Sequence, residues 1–290
     1  MGERLSIHES KKSHDVWNRF KRNKSAVAGA VVYLIIIITC FSSTFFLDYD
    51  TQIIGVDAIN RLQPPSAEHI CGTDELGRDV FFRIIWGGRL SILMGFCALG
   101  IAISAGIVLG TLAAYYGKTL DMVIMRFIDC IMALPVLILM ITLASVVEPS
   151  NLNLVLIIGI ALTPQETRLV RAQVLQVIDM EYIEAVKIQG GGTLRIIAKH
   201  ILPNALGPVI STATLDIATA ITTISTLSFM GLGVQPPDPE WGSMLSAGKT
   251  VIREAWHVST FPGIALLLTV ISLTLVGDGL RDALDPRMKR

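Results

Sequence analysis

Residues 181–204 read EYIEAVKIQGGGTLRIIAKHILPN, a polar stretch set between two strongly apolar ones. Asp179 is placed to cap a short helix, with Glu181 in its first turn and Lys187 in its last, which suits the helix dipole. Gly190, Gly191 and Gly192 then stop that helix, because glycine supplies the left-handed conformation of a C-terminal turn. Thr193 is placed to cap a second helix with Leu194, Ile197, Ala198 and Ile201 on one face, and Pro203 predicts its end. The stretch therefore predicts a helical hairpin of soluble character. In a chain that otherwise reads as membrane, such a hairpin has a use if a soluble partner docks on it.

The whole-chain balance agrees with a membrane setting. The 290 residues are 52% hydrophobic and 17% charged, with a mean hydropathy of +0.59 and a formal net charge of +0. Soluble domains carry about 25% charged residues. Neutral charge gives no support for nucleic-acid binding. Cys40, Cys71, Cys97 and Cys130 have no metal-ligand or CxxC spacing and read as small hydrophobes rather than as a disulfide framework or a zinc site.

Apolar runs of about 20 residues predict six spans: Ala26–Leu47, Ser91–Tyr116, Met122–Val147, Leu154–Val170, Pro208–Met230 and Ser259–Val276. The fourth is interrupted by Pro164-Gln165-Glu166-Thr167-Arg168, which a helix tolerates where it faces other helices or a water-filled cavity. The chain divides into a basic tail, residues 1–25, and a transmembrane domain, residues 26–290. Within that domain lie external loops 48–88 and 231–258, the hairpin loop 179–204 and a tail 277–290. Arg4, Lys11, Lys12, Arg19, Lys21, Arg22 and Lys24 place the N terminus in the cytoplasm. Six spans return Arg281, Arg287, Lys289 and Arg290 to the same side, and the hairpin, with Arg168, Arg171, Lys187, Arg195 and Lys199 in or beside it, also falls there. The first apolar run is too long for a cleaved signal peptide and no A-x-A site follows it.

Ionisable residues inside the spans are candidates for the translocation pathway. Asp129 lies in span three, Asp216 in span five and Glu166 beside the Pro164 break; a central Asp costs about 2.5–3.5 kcal/mol on insertion scales. Arg126, three residues from Asp129, offers an intrahelical pair as the competing reading. Asp216 has no basic neighbour in its own helix and needs a partner elsewhere or a place on the pathway. Gly106 and Gly110 form a GxxxG in span two and predict close helix packing.

Enzymatic motifs fail on spacing. Gly242–Thr250 has five residues between its glycines where a phosphate-binding loop has four, and no strand precedes it. No HExxH or Gly-x-Ser-x-Gly occurs. An intramembrane aspartyl protease using Asp129 and Asp216 would lack the Gly-x-Gly-Asp setting. A proton-coupled secondary transporter is the stronger rival, since intramembrane acids relay protons, but it leaves the hairpin without a purpose.

Glu184-Ala185, Gly190 and the closing Ile201-Leu202-Pro203 resemble the "EAA" loop of ABC-importer permeases, the cytoplasmic coupling helix that sits in a groove of the ATPase. Val186 departs from the third small residue of that pattern, and His200 stands where an aliphatic is usual. Gly72-Thr73-Asp74-Glu75-Leu76-Gly77-Arg78-Asp79 resembles the "GTDxxGRD" signature of dipeptide, oligopeptide and nickel importer permeases. Residues 231–242, residues 276–286 and Trp17–Lys24 are similar to the loop after span five, the C-terminal ending and the tail before span one of the same group. By their chemistry alone, the first of these segments is an external turn fixed by an Arg–carboxylate pair and the Pro-Pro-Asp-Pro run a rigid loop.

The resemblance implies an all-α membrane protein of the type I ABC importer permease fold: six transmembrane helices and a cytoplasmic coupling helix-turn-helix. It implies ATPase coupling through Glu181, Glu184, Ala185, Gly190, Leu202 and Pro203, with Glu184 the charged contact and Gly190 the turn. It further implies a homologous second permease, two cytoplasmic ABC ATPases and an extracytoplasmic solute-binding protein, in a bacterial or archaeal cytoplasmic membrane. ATP and Mg²⁺ would then belong to the partner ATPases, with no cofactor on this chain and no enzyme activity of its own. The cargo class is short peptides, glutathione-like compounds, or nickel and other metal chelates.

Overall fold

The computed structural model describes residues 17–284. Arg4, Lys11, Lys12, Asp285, Arg287, Lys289 and Arg290, used above for orientation and the C-terminal ending, lie outside them. Every regular element among the described residues is helical, apart from one isolated bridge between Thr73 and Asp79. In chain order the helices are α1 Lys24–Ser42, α2 Val80–Tyr116, α3 Lys118–Met132, α4 Val136–Val146 and α5 Asn151–Ile178. They continue with α6 Glu181–Ile188, α7 Thr193–Ile196, α8 Leu202–Phe229, α9 Trp241–Thr250 and α10 His257–Leu284.

A helix occupies each of the six predicted stretches, but their extents differ for identifiable reasons. Among the described residues, α1 with its 3₁₀ extension, α2, the run Thr193–Phe229 and α10 are each long and apolar enough to cross a membrane. The third stretch is not one helix: α3 and α4 meet at an 84° bend across residues 133–135. Pro135 has no N–H to continue the α3 ladder and pushes Leu134 out of the helical region. The fourth stretch, by contrast, is unbroken, with Pro164 inside the 28-residue α5. The Thr163 hydroxyl donates to the Gly159 carbonyl and the Thr167 hydroxyl to that of Thr163, both at 2.8 Å, so hydroxyls on either side of the proline meet backbone carbonyls there. Helix α5, carrying Gln165, Glu166, Arg168 and Arg171, is more polar than the helices long and apolar enough to cross a membrane.

Helix α2 starts well before the predicted Ser91 because Asp79 caps it, accepting from the Phe82 N–H at 3.1 Å. Its 37 residues span about 55 Å, more than the ~30 Å hydrocarbon core. Among the described residues α2 and α5 form the most extensive helix pair, and the GxxxG of α2 is their seam. A Cβ on Gly106 would lie 2.7 Å from the Cβ of Glu166, and one on Gly110 2.7 Å from the Thr167 carbonyl oxygen. The partner of the small-residue stripe is thus a helix of the same chain.

Candidate functional site

The hairpin forms, with a different construction from the one expected. Asp179 does not cap α6; it closes α5, and the residue before α6 is Met180, which supplies no side-chain cap. Only Asp179 and Met180 separate the two helices, so the corner is made by backbone bonds, Met180 N–H to the Val177 carbonyl and Ile183 N–H to that of Met180. Gly190 takes φ +77°, the left-handed turn its type requires. Thr193 likewise is the first residue of α7 rather than its cap.

Pro203 does not end the second helix. It sits in the first turn of α8, where a missing N–H costs nothing, and α7 runs into α8 through a π turn, Ile197–Ile201. The extra residue of that turn rotates the register. The buried residues are therefore Ile196 and Ile201, while Leu194, expected on the buried face, is 83% exposed at the tip. Ile183, Ile196 and Ile201 pack with Val174 and Val177 of α5, Ala205 and Val209 of α8 and Ala114 of α2.

The hairpin is thus rooted in three helices, with Glu181, Glu184, Ala185, Gly190 and Pro203 exposed and Leu202 half-buried. Val186 is half-buried and turned inward, its Cγ1 3.0 Å from where a Cβ on Gly191 would stand. The departure from the small residue thus fills the inside of the turn. The His200 side chain is half-buried and its carbonyl accepts from Asn204 Nδ2 at 2.7 Å. Lys187 stacks over Tyr115 at the end of α2.

The three pathway candidates are not brought together into one site. Asp129 pairs with Arg168 of α5 at 2.5 Å, not with Arg126 of its own helix. Both partners are half-exposed, and lower on the same two helices Asp121 takes both arms of Arg171 at 2.6 Å. Glu166 is 2% exposed, seated against Gly106, and its Oε2 has no hydrogen-bond partner. Asp216 is half-buried on α8.

None of the three lines the two adjoining cavities of about 420 and 390 Å³ bounded by the end of α3, the bend after it, and α4, α5, α8 and α10. Threonines line them instead, Thr219, Thr222, Thr223 and Thr226 of α8 and Thr274 of α10, over a floor that includes Val136 and Met140. The spacing 219, 222, 223, 226 is one helical face, a legible signal overshadowed by the charged residues nearby. Among the described residues no group of three His, Cys, Asp or Glu side chains gathers as metal ligands.

At the other end of the helices the two family-like loops build one platform. Asp74 accepts from the Leu76 and Arg78 N–H groups at 2.9 and 3.0 Å and from Arg78 Nε at 2.7 Å. Gly72 and Gly77 adopt positive φ, and Arg83, buried, donates to the Ile53 carbonyl at 2.6 Å. Tyr49 and Asp238 hydrogen-bond across the two loops, as do Glu75 and Thr250.

Gly242–Thr250, dismissed as a phosphate loop on spacing, is helix α9. Its first turn is fixed by Glu240, a residue whose role the sequence reading missed. Fully buried, Glu240 accepts from Ser91 of α2 and Ser225 of α8 at 2.9 Å and from the Ser243 N–H at 3.0 Å. The signal was a capping pattern, Glu240 with Ser243 three residues on.

Known proteins resemble this chain in sequence and in fold. Residues 106–290 match the family described as the binding-protein-dependent transport system inner membrane component. Residues 13–65 match the N-terminal TM domain of oligopeptide transport permease C. The dipeptide transport system permease protein DppC of Alkalihalophilus pseudofirmus is 42% identical over 95% of this chain and 90% of its own length. The di/tripeptide transport system permease protein DppC of Pseudomonas aeruginosa is 40% identical over 95% and 92%. The glutathione transport system permease protein GsiD of Pectobacterium atrosepticum is 37% identical over 95% and 91%.

In fold, the inward-facing MetNI methionine ABC transporter aligns with TM-score 0.60 at 17% identity, covering 71% of this chain and 98% of that one. The secondary-transporter and protease readings find no support in these likenesses. With two family matches along its length and relatives near 40% identity over almost all of it, the chain belongs to the binding-protein-dependent transport system inner membrane components, the transmembrane permeases of bacterial ABC importers.

Proposed function

We propose that this chain is one of two permease halves of an importer of short peptides, driven by two cytoplasmic ABC ATPases and fed by an extracytoplasmic solute-binding protein. ATP and Mg²⁺ are used on the ATPases, the basic residues flanking an even number of spans favour both termini in the cytoplasm, and α6–α7 is the coupling element. The peptide cargo is supported by relatives named as dipeptide and di/tripeptide permeases over nearly the full chain.

The observation that carries the coupling role is the hairpin itself. An exposed face bearing Glu184 and Ala185 is rooted by Ile183, Ile196 and Ile201, and the second helix of the hairpin, α7, runs without a break into α8. A partner that moves this face moves a membrane helix. ATP binding favours one arrangement of the ATPases, and the permease follows as a population shift between inward- and outward-open states.

Glu184→Lys and Gly190→Arg test the assignment, the first by reversing charge on the docking face, the second by placing a side chain on the left-handed turn. Both should leave membrane insertion intact while abolishing co-purification of the ATPases or binding-protein-stimulated ATP hydrolysis. Peptide import at the unmodified rate by both variants would sink the coupling role.

A further inference from the structure

The two cavities carry a chemical bias that the family assignment leaves open. In the larger, the polar groups of the lining are threonine hydroxyls, and the hydroxyl protons are committed within the helices. Thr222, Thr223 and Thr226 donate to the carbonyls of Ala218, Thr219 and Thr222 at 2.8, 2.8 and 2.7 Å. Thr219 donates to the Leu215 carbonyl at 3.3 Å, and across the cavity Thr274 donates to that of Val270 at 2.8 Å. A hydroxyl that has given its proton to a carbonyl presents only lone pairs outward, and donating polarises the oxygen into a better acceptor.

The smaller cavity shares Val136, Met140, Thr219 and Thr223 with the larger and adds Gln165 of α5. No Lys, Arg or His lines either one. The cations of α5 that follow Gln165 are committed elsewhere, Arg168 to Asp129 and Arg171 to Asp121. The remainder of the walls is apolar. The combined lining is a ladder of neutral acceptors on an apolar bed, in a space of ligand-pocket size.

We propose that this threonine-lined pair of cavities is a permeant site that takes the amino end of the peptide, its ammonium and amide N–H groups donating to the hydroxyl oxygens of Thr219, Thr223 and Thr226. The inference rests on the peptide-importer reading and deepens it. The peptide carboxylate finds no cationic partner on these walls, so it points away from this subunit. Several weak neutral acceptors, rather than one strong ionic partner, let a permeant enter and leave, as conduction requires.

The test uses the whole complex in proteoliposomes, with ATP on the ATPase side, the binding protein on the other, and a radiolabelled alanyl-alanine dipeptide as probe. Two triple variants are compared, Thr219→Val with Thr223→Val and Thr226→Val, and the same positions changed to Ser. Valine keeps the shape and removes the acceptor, whereas serine keeps the acceptor. The valine variant should import the dipeptide about ten-fold more slowly, with assembly and binding-protein-stimulated ATP hydrolysis unchanged, and the serine variant should stay within about two-fold of the parent. Unchanged import by the valine variant, or an equal loss in the serine variant, overturns the proposal.

Should the triple valine variant fail to assemble, Thr223→Val, on the wall common to both cavities, is read in its place. A two- to three-fold loss is then expected, and parental import overturns the proposal. A diazirine on the amino-terminal side of the dipeptide should cross-link to α8 of this chain, and one on the carboxyl side to the other permease; the reverse pattern overturns the orientation. Absence of ATP-driven import by the unmodified complex would bring down the function reading, and this one with it, and is recognised because no variant is needed to see it.

Discussion

Glu240 illustrates how one side chain can hold several segments. Its carboxylate is fully buried, yet both oxygens are occupied, one by the hydroxyls of Ser91 and Ser225 and the other by the first turn of α9. A buried charge is tolerable on such terms and costly on any other. Glu240→Ala would leave two buried hydroxyls and a helix N-terminus without their acceptor, a loss of about 3 kcal/mol or more. Glu240→Gln keeps an acceptor for the serines but turns an NH₂ toward the Ser243 N–H, a loss of about 1 kcal/mol. Thermal inactivation of the purified complex should therefore rank parent, Gln, Ala in falling order of stability, and an Ala variant as stable as the parent would remove this role.

Of the Glu240 contacts, only the Ser243 cap spacing was legible in the sequence, because Ser91 and Ser225 lie on α2 and α8, distant along the chain. Charge-based reasoning worked where partners are near, as with Asp74 and Arg78 at 2.7 Å. It failed where they are far, as with Asp129, which passes over Arg126 for Arg168.

At the scale of elements, apolar periodicity and glycine chemistry located the helices and the Gly190 turn, whereas prolines misled in both directions. Pro203 and Pro164 were read as breaks yet sit within helices, and Pro135 was read through although it makes the sharpest bend. Pro203 falls in a first turn, where no N–H is needed, whereas Pro135 stands at the N-cap of α4 just after α3 ends.

The α2–α5 seam gives the sharpest test at this scale. Gly106→Leu should separate the helices and cut the amount of folded permease several-fold, since its Cβ would meet Glu166 at 2.7 Å. Gly100→Leu, on the same helix with open space around it, should be accepted. Fluorescence-detected size-exclusion profiles of the two variants compare them directly, and equal profiles would rule out the seam.

At the scale of the molecule, the helices carry a hairpin at one end and an interlocked loop platform at the other. Six helical stretches and their order were legible because runs of about 20 apolar residues mark them, although their extents were not. The platform was legible only as motifs, since its cross-loop bonds, Tyr49 with Asp238 and Glu75 with Thr250, join segments far apart in sequence. Cys71 reports on its integrity. Buried there, its thiol is pushed up to about 11, first by desolvation and then by the Asp79 charge. It stays protonated and inert at neutral pH. Intact protein should therefore resist a membrane-impermeant maleimide at Cys71 at pH 7, and Asp74→Ala, which removes the acceptor that holds the turn, should make it react at least ten-fold faster. Equal labelling of the two would show that Asp74 does not hold the platform closed.

The uninterrupted run from Thr193 to Phe229 has a mechanical meaning. Its 37 residues reach about 55 Å, so the strut that begins beside Gly192 ends where Ser246 donates to the Phe229 carbonyl on the platform. One helical run thus connects the hairpin end with the platform end. Two softer places lie toward its start, the π turn at Ile197–Ile201 and Pro208 inside α8, whose missing N–H removes one rung of the ladder. On the proposed coupling role, such a rod would turn a sideways nudge at the hairpin into a tilt at the platform, and the threonine ladder rides on its shaft.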